Sequence, residues 1–160
     1  MRVLIAYATK NGGTQGLADW LASSLEALGH DVTVAPAATI PAVDDYDCIV
    51  VGGALYMFRW HRLARRFVRR HRRQLQKSPV WLFSSGPLDD SAAKDTIPPV
   101  RFVRRTIERI GARGHMTFGG RLEAGASRAK LPTGDWRDRD QVDDWARQIA
   151  AELERLTVGS

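Results

Sequence analysis

Two kinds of apolar pattern alternate along the chain. Short unbroken runs recur at 3–8 (VLIAYA), 32–34 (VTV), 47–52 (DCIVVG), 80–83 (VWLF) and 115–118 (HMTF). Between them, apolar residues return every three or four positions. A short unbroken run bounded by turn signals reads as a strand covered on both faces, as in a parallel sheet with helices on either side. The 3.6-residue period reads as a helix with one buried stripe. Leu17, Leu21, Leu25 and Leu28, with Ala18 and Ala22, predict a helix over 14–28 that Gly29 stops. Leu63, Phe67 and Leu75 predict a buried stripe on a helix over 60–75, ended by Pro79. Val100, Val103, Ile107 and Ile110 predict a third helix, closed by Gly111. Val142, Trp145, Ile149, Leu153 and Leu156 predict the last one, opened by a capping-box-like pair, Asp138 and Gln141.

Five strands alternating with helices form one α/β domain over 1–160, and right-handed crossovers make it a doubly wound parallel sheet. Such sheets bind ligands outside the carboxyl ends of their strands, where the strand order reverses. The segments expected there are 9–14, 53–60 and 84–99, with the chain leaving the sheet at Gly52. Three loops on one edge suit a flavin: one for its phosphate, two to flank its ring. The stretch 119–135 is polar and reads as irregular.

The first loop, Thr9-Lys10-Asn11-Gly12-Gly13-Thr14, sits between a buried strand and a helix start. In that position backbone N–H groups face a phosphate. Glycines let the backbone approach closely, and the hydroxyls of Thr9 and Thr14 and the amide of Asn11 can donate to phosphate oxygens. No lysine follows Gly12-Gly13, so this is not a Walker loop. The glycines at 12, 13 and 16 do not make G-x-G-x-x-G. Acidic residues that would mark a receiver domain are absent from the strand end. A loop without a required cation suits the terminal phosphate of a mononucleotide such as FMN. An ordinary βα turn that needs glycine for geometry alone is the other reading.

Composition narrows the class. The longest uncharged apolar stretch, 48–58, has 11 residues, too few to cross a bilayer. The N-terminus lacks a basic region followed by an apolar one, so no signal peptide is expected and the expected location is the cytoplasm. The one cysteine, Cys48, falls in a strand and reads as a small buried hydrophobe. Net charge is +6 and the pI about 10.1, mostly from arginine, which favours anionic partners. The arginines crowd between Arg59 and Arg73, and no Asp or Glu occurs from Arg59 to Lys77. That helix is either a solvated basic face or a dock for an anionic membrane surface or an acidic redox protein. Nucleic acid is disfavoured, since no reading motif accompanies the charge. No His, Cys and carboxylate cluster has metal-ligand spacing, and Ser84-Ser85 lacks a nucleophile elbow. Tyr56 is the candidate for stacking on a ring, with Phe58 and Trp60 as rivals. His61 lies near the loop, but no residue is an obvious catalytic acid or base.

The motifs together carry a family likeness. They are ATKNGGT at 8–14, DYDCIVVGGA at 45–54, RWHRLARRFVRRH at 59–71, LFSSGP at 82–87 and GDW at 134–136. The chain resembles the flavodoxin superfamily, and more closely the flavodoxin-domain proteins related to menaquinone-dependent protoporphyrinogen oxidase. The resemblance implies a flavodoxin-like five-stranded sheet in the order 2-1-3-4-5. It implies FMN, with residues 9–14 around the phosphate. Gly53, Ala54, Leu55, Tyr56 and Met57 would lie on one side of the ring, and Ser85, Gly86 and Pro87 on the other. It also implies an FMN-dependent oxidoreductase that meets a redox partner or a quinone-like small molecule. The oxidase carries a longer basic and apolar loop ahead of its last helix, whereas 119–135 is short here. The alternatives are a small electron-transfer flavodoxin and a non-redox scaffold with a basic docking helix.

Overall fold

The computed structural model describes residues 1–10, 12–123 and 131–159. The elements in chain order are β1 (Arg2–Ala8), α1 (Gly13–Ala27), β2 (Asp31–Pro36), a 3-10 turn (Ala37–Thr39), β3 (Cys48–Tyr56) and β4 (Arg59–Trp60). They continue with α2 (Arg62–Arg70), α3 (Arg72–Leu75), β5 (Val80–Ser85), α4 (Ser91–Lys94), α5 (Arg101–Ile110) and β6 (Gly114–Phe118). The short β7 (Arg121–Leu122) and β8 (Gly134–Asp135) precede α6 (Arg139–Val158).

The parallel strands lie in the order β2-β1-β3-β5-β6. With the two-residue β4 set aside, this is the expected 2-1-3-4-5 arrangement. Burial explains why the strands read as unbroken apolar runs. Val3, Ile5 and Tyr7 enter one core with Cys48, Val50, Trp81 and Phe83, under α1 and α6. Leu4, Ala6 and Ala8 enter the other with Ile49, Val51, Val80 and Leu82, under α2, α3 and α5. Successive side chains point to opposite faces, and both faces are covered. In the first core Phe83, Phe118 and Trp145 meet edge to face at 5.6–6.0 Å between ring centroids. Burial pushes the Cys48 thiol up to about 12, so it carries no thiolate near neutral pH.

The sheet departs from expectation at its functional end. The chain does not leave the sheet at Gly52: β3 runs on to Tyr56, turns through Met57 and Phe58, and returns as β4. The helix expected over 60–75 is two helices, broken at His71. The His71 ring is buried against Phe67, at 4.6 Å, and the backbone there leaves helical geometry. Leu63 is only half-buried, and Ala64, Phe67, Val68 and Leu75 make the buried stripe. The stretch 119–135 is not wholly irregular, because β7 pairs antiparallel with β8. Only half of the capping box forms. Asp138 accepts from the Asp140 and Gln141 N–H groups, whereas the Gln141 amide turns away to the Ala92 carbonyl.

Charge divides by face. Helices α2, α3 and α5 carry eleven arginines and one carboxylate, Glu108; α1 and α6 carry three arginines and seven carboxylates. Among the described residues, none of the arginines on α2, α3 or α5 forms an ion pair.

Candidate functional site

The order reverses between β1 and β3, and the sheet register gathers the predicted segments there. Ala8 pairs with Gly53, Gly53 with Ser84, and Ala54 with Ser85. Beyond these strand ends lies a cleft with about 690 Å³ of empty space, counting the part open to solvent.

The loop after β1 is closed on itself. Thr9 Oγ1 accepts the Gly12 N–H at 2.9 Å, and Gly12 adopts φ 83°, a left-handed conformation that favours glycine. Helix α1 starts at Gly13 with no side-chain cap. Its first N–H groups have no intrahelical partner, and the positive end of the helix dipole points into the cleft edge. The Thr14 hydroxyl is buried and bonds the Ser85 hydroxyl at 2.6 Å, tying the start of α1 to the end of β5. Two hydroxyls share one proton in that bond, which leaves a second proton to donate. Arg137 braces the same turn from outside. Its guanidinium donates to both Asp135 carboxylate oxygens and to the Gly13 carbonyl at 3.3 Å, and it stacks on Trp20. The guanidinium holds the Asp135 carboxyl below its usual range.

The β3–β4 hairpin forms the second wall. Its anchor is Trp60, buried under Gly53, where a Cβ would run into the indole. The indole N–H donates to the Phe83 carbonyl at 3.2 Å. Tyr56 is half-exposed at the cleft, with the Lys10 ammonium 4.3 Å from its ring centroid. The contact is a cation–π pair, worth about 0.5–1 kcal/mol at an exposed position. His61 caps α2 by accepting the Leu63 N–H on Nδ1, at 3.0 Å. That assignment places the proton on Nε2. Burial, then Arg62, Arg65 and Lys10, lower its pKa, so the ring stays neutral near neutral pH.

The cleft therefore brings together Thr9, Lys10, Gly13, Thr14, Ala54, Leu55, Tyr56, Ser85 and Gly86 from the sequence-predicted set. Gly12, Gly53, Met57 and Pro87 do not line it, and Asn11 lies outside the described residues. Gly12 and Gly53 shape the walls instead, whereas Met57 points to solvent. Pro87 contributes its carbonyl, which accepts the Gly120 N–H at 2.9 Å. Sequence reasoning missed Gly120, Arg121, Leu122 and Leu131, did not single out Leu88 within the segment 84–99, and placed His61 near the loop without counting it among the site residues. Gly86 N–H donates to the Phe118 carbonyl and Trp136 N–H to the Gly120 carbonyl, so 119–122 closes the cleft as a third wall. No local pattern signals these long-range bonds.

His115 of β6 stands next to the site, with Nε2 3.4 Å from the Ser84 hydroxyl. Burial pushes its pKa down to about 4. The unfolded chain takes up this proton first, near pH 6.5, so stability is full above that value and declines as pH falls toward about 4. The loss is expected to reach about 2–3 kcal/mol. His30, His61 and His71 are also lowered and act in the same direction. Urea unfolding of the wild type and of His115→Gln across this range isolates the His115 share. Parallel profiles would refute it.

Among the described residues no helix is long and apolar enough to cross a membrane, and no group of His, Cys, Asp or Glu could hold a metal ion. Comparison with known proteins adds the family. A family model described as flavodoxin domain matches residues 4–126. The chain is 33% identical over 86 residues to protoporphyrinogen IX dehydrogenase [quinone] of Escherichia coli K12, covering 52% of this chain and 48% of that protein. It thus spans about half the length of the curated relatives it matches. A mutant flavodoxin of Pseudomonas aeruginosa superimposes with a TM-score of 0.66 at 20% identity, over 96% of this chain and 99% of that one. Rubredoxin oxygen:oxidoreductase of Desulfovibrio gigas does so with 0.70 at 15% identity, over 96% of this chain and 36% of that one. These two likenesses concern the fold. The family match spans the loop after β1, both arms of the hairpin and the end of β5, and the chain belongs to the flavodoxin domain family.

Proposed function

We propose that the cleft binds FMN and that the chain is a redox protein related to protoporphyrinogen oxidase. The uncapped start of α1 carries this reading, since it lies beside the Thr14–Ser85 hydroxyl pair at the reversal point of the sheet. The donor set fits the group. Backbone N–H groups at Gly13 and Thr14, the hydroxyls of Thr9 and Thr14, and Asn11 would hold the phosphate, with Lys10 and Arg121 as nearby cations. Ala54, Leu55 and Tyr56 on one wall and Ser85, Gly86 and Leu88 on the other offer the apolar surface and backbone groups that a flat ring needs. Bound FMN supplies reversible uptake and release of electrons, and the protein tunes it. His61 offers a neutral Nε2–H at the cleft, and the hairpin and the 119–122 wall limit water.

The visible spectrum of freshly purified protein, with mass analysis of what it releases, tests this reading. A yellow protein releasing FMN is expected. A colourless protein that takes up no added FMN would leave only the scaffold.

Whether the relatives' activity carries over is a separate matter. The segment 119–135 lacks a long basic and apolar loop, so protoporphyrinogen oxidation with a menaquinone analogue is expected to be poor. Turnover of about 1 per second or faster, ordinary for an enzyme, would overturn that expectation. The physiological acceptor is then another quinone-like molecule or an acidic redox partner.

A further inference from the structure

We propose that the face formed by α2, α3 and α5 docks on an anionic lipid bilayer, with the β3–β4 hairpin tip inserted at the interface. The first observation is the tip itself. Met57 and Phe58 are 75% and 89% exposed, and both adopt positive φ, 51° and 62°. A two-residue hairpin turn with both central φ positive strongly prefers Asn-Gly or Asp-Gly. A bulky side chain there is strained, and exposure leaves it no packing in return. Neither local stability nor the core accounts for Met57-Phe58. An apolar environment outside the protein does, since burying these side chains is favourable only there.

The second observation is the charge beside it. The tip is followed by Arg59 and leads straight into α2, where Arg62, Arg66, Arg69 and Arg70 are exposed. Arg101, Arg104, Arg105 and Arg109 extend the positive face along α5, which packs on the same core. Glu108 is the one carboxylate on these helices, and Asp44 lies near His71 beside them. Like charges three and four residues apart repel, and among the described residues no ion pair relieves them, Arg69 having only the Phe102 ring 5.2 Å from its guanidinium. An anionic surface would do so, and the opposite face, rich in carboxylates, would then turn away from it.

Charge alone would fit nucleic acid or an acidic protein equally well. The exposed apolar tip favours lipid, because an interface with anionic headgroups above acyl chains matches arginines flanking an apolar wedge. Tyr56, the last residue of β3, lines the cleft, so docking through the tip brings the cleft mouth to the lipid surface. A lipophilic acceptor could then enter without crossing water.

Vesicle co-flotation tests the proposal and does not depend on the cofactor. The wild type should float with phosphatidylcholine–phosphatidylglycerol vesicles at low ionic strength. It should not float with phosphatidylcholine alone, and added salt should release it. Each arginine near an anionic surface contributes about fivefold, so the quadruple variant Arg62→Gln, Arg66→Gln, Arg70→Gln, Arg73→Gln should bind several-hundredfold more weakly. The double variant Met57→Asn, Phe58→Asn introduces residues that tolerate positive φ and should fold at least as stably. It should bind about tenfold or more weakly, with the salt dependence unchanged. Absence of flotation at low salt overturns the proposal, as does wild-type binding by the Asn variant. Capture on heparin or an acidic protein without any vesicle binding assigns the face to another partner and also overturns it.

Discussion

Trp60→Ala should lower the unfolding free energy by about 3–5 kcal/mol and abolish measurable FMN binding. The indole is fully buried, and it occupies the space that glycine at position 53 leaves open. Its N–H is the partner of the Phe83 carbonyl, so the truncation opens a cavity and leaves an acceptor short of a donor. The same ring pins β4, and through β4 it pins Tyr56 and the N-cap His61 at the cleft. Trp60→Phe separates these roles. It keeps much of the volume and should lose only about 1–3 kcal/mol, chiefly through loss of the indole N–H bond to the Phe83 carbonyl. Denaturant unfolding followed by flavin titration reads both effects. An alanine variant that keeps wild-type stability would show that the hairpin is held some other way.

Gly13→Val should weaken FMN at least tenfold while changing the stability of the cofactor-free protein by only about 1 kcal/mol. A Cβ at Gly13 would sit 3.4 Å from the Arg121 Cβ and backbone nitrogen. Alanine therefore fits with little adjustment. The two further methyl groups of valine would press on β7 or intrude on the first N–H groups of α1. The cost should fall on the ligand more than on the fold, because the helix start is uncapped and open there. Equilibrium titration by flavin fluorescence quenching gives the affinity, and thermal unfolding gives the stability. Unchanged affinity with unchanged stability would mean that the loop is an ordinary βα turn, and the phosphate reading would fall with it.

Several features were legible before any coordinates. The strands 3–8, 48–52 and 80–83 announced themselves because both faces of each are buried, so their positions select apolar residues or glycine. Helix ends were marked by Gly29 and Gly111, and both indeed adopt positive φ there. The helix start at Asp138 was marked by its side chain, which does accept two N–H groups. The hairpin was not legible. Met57-Phe58 lacks every turn signal that local chemistry supplies, and Gly52-Gly53 reads as the end of a strand although the uncharged apolar stretch runs on to Phe58. The helix break at His71 was hidden because the arginine pattern runs across it without interruption.

Whereas the order of the strands was only implied by the family resemblance, local periodicity and turn chemistry were enough to mark the five main strands, the main helical segments and the single loop at the end of β1. Those properties depend on residues within one helical turn or one strand of each other, and so they are written in neighbouring letters. The cleft needed contacts that span the chain: Thr14 with Ser85, Trp60 with Phe83, Gly86 with Phe118, Arg137 with Gly13. Each is a hydrogen bond between groups far apart in sequence, formed only once packing excludes water and leaves an unpaired group costly. The segregation of arginine to one face arose in the same way, because which helices share a face is decided by crossovers and not by any helix alone.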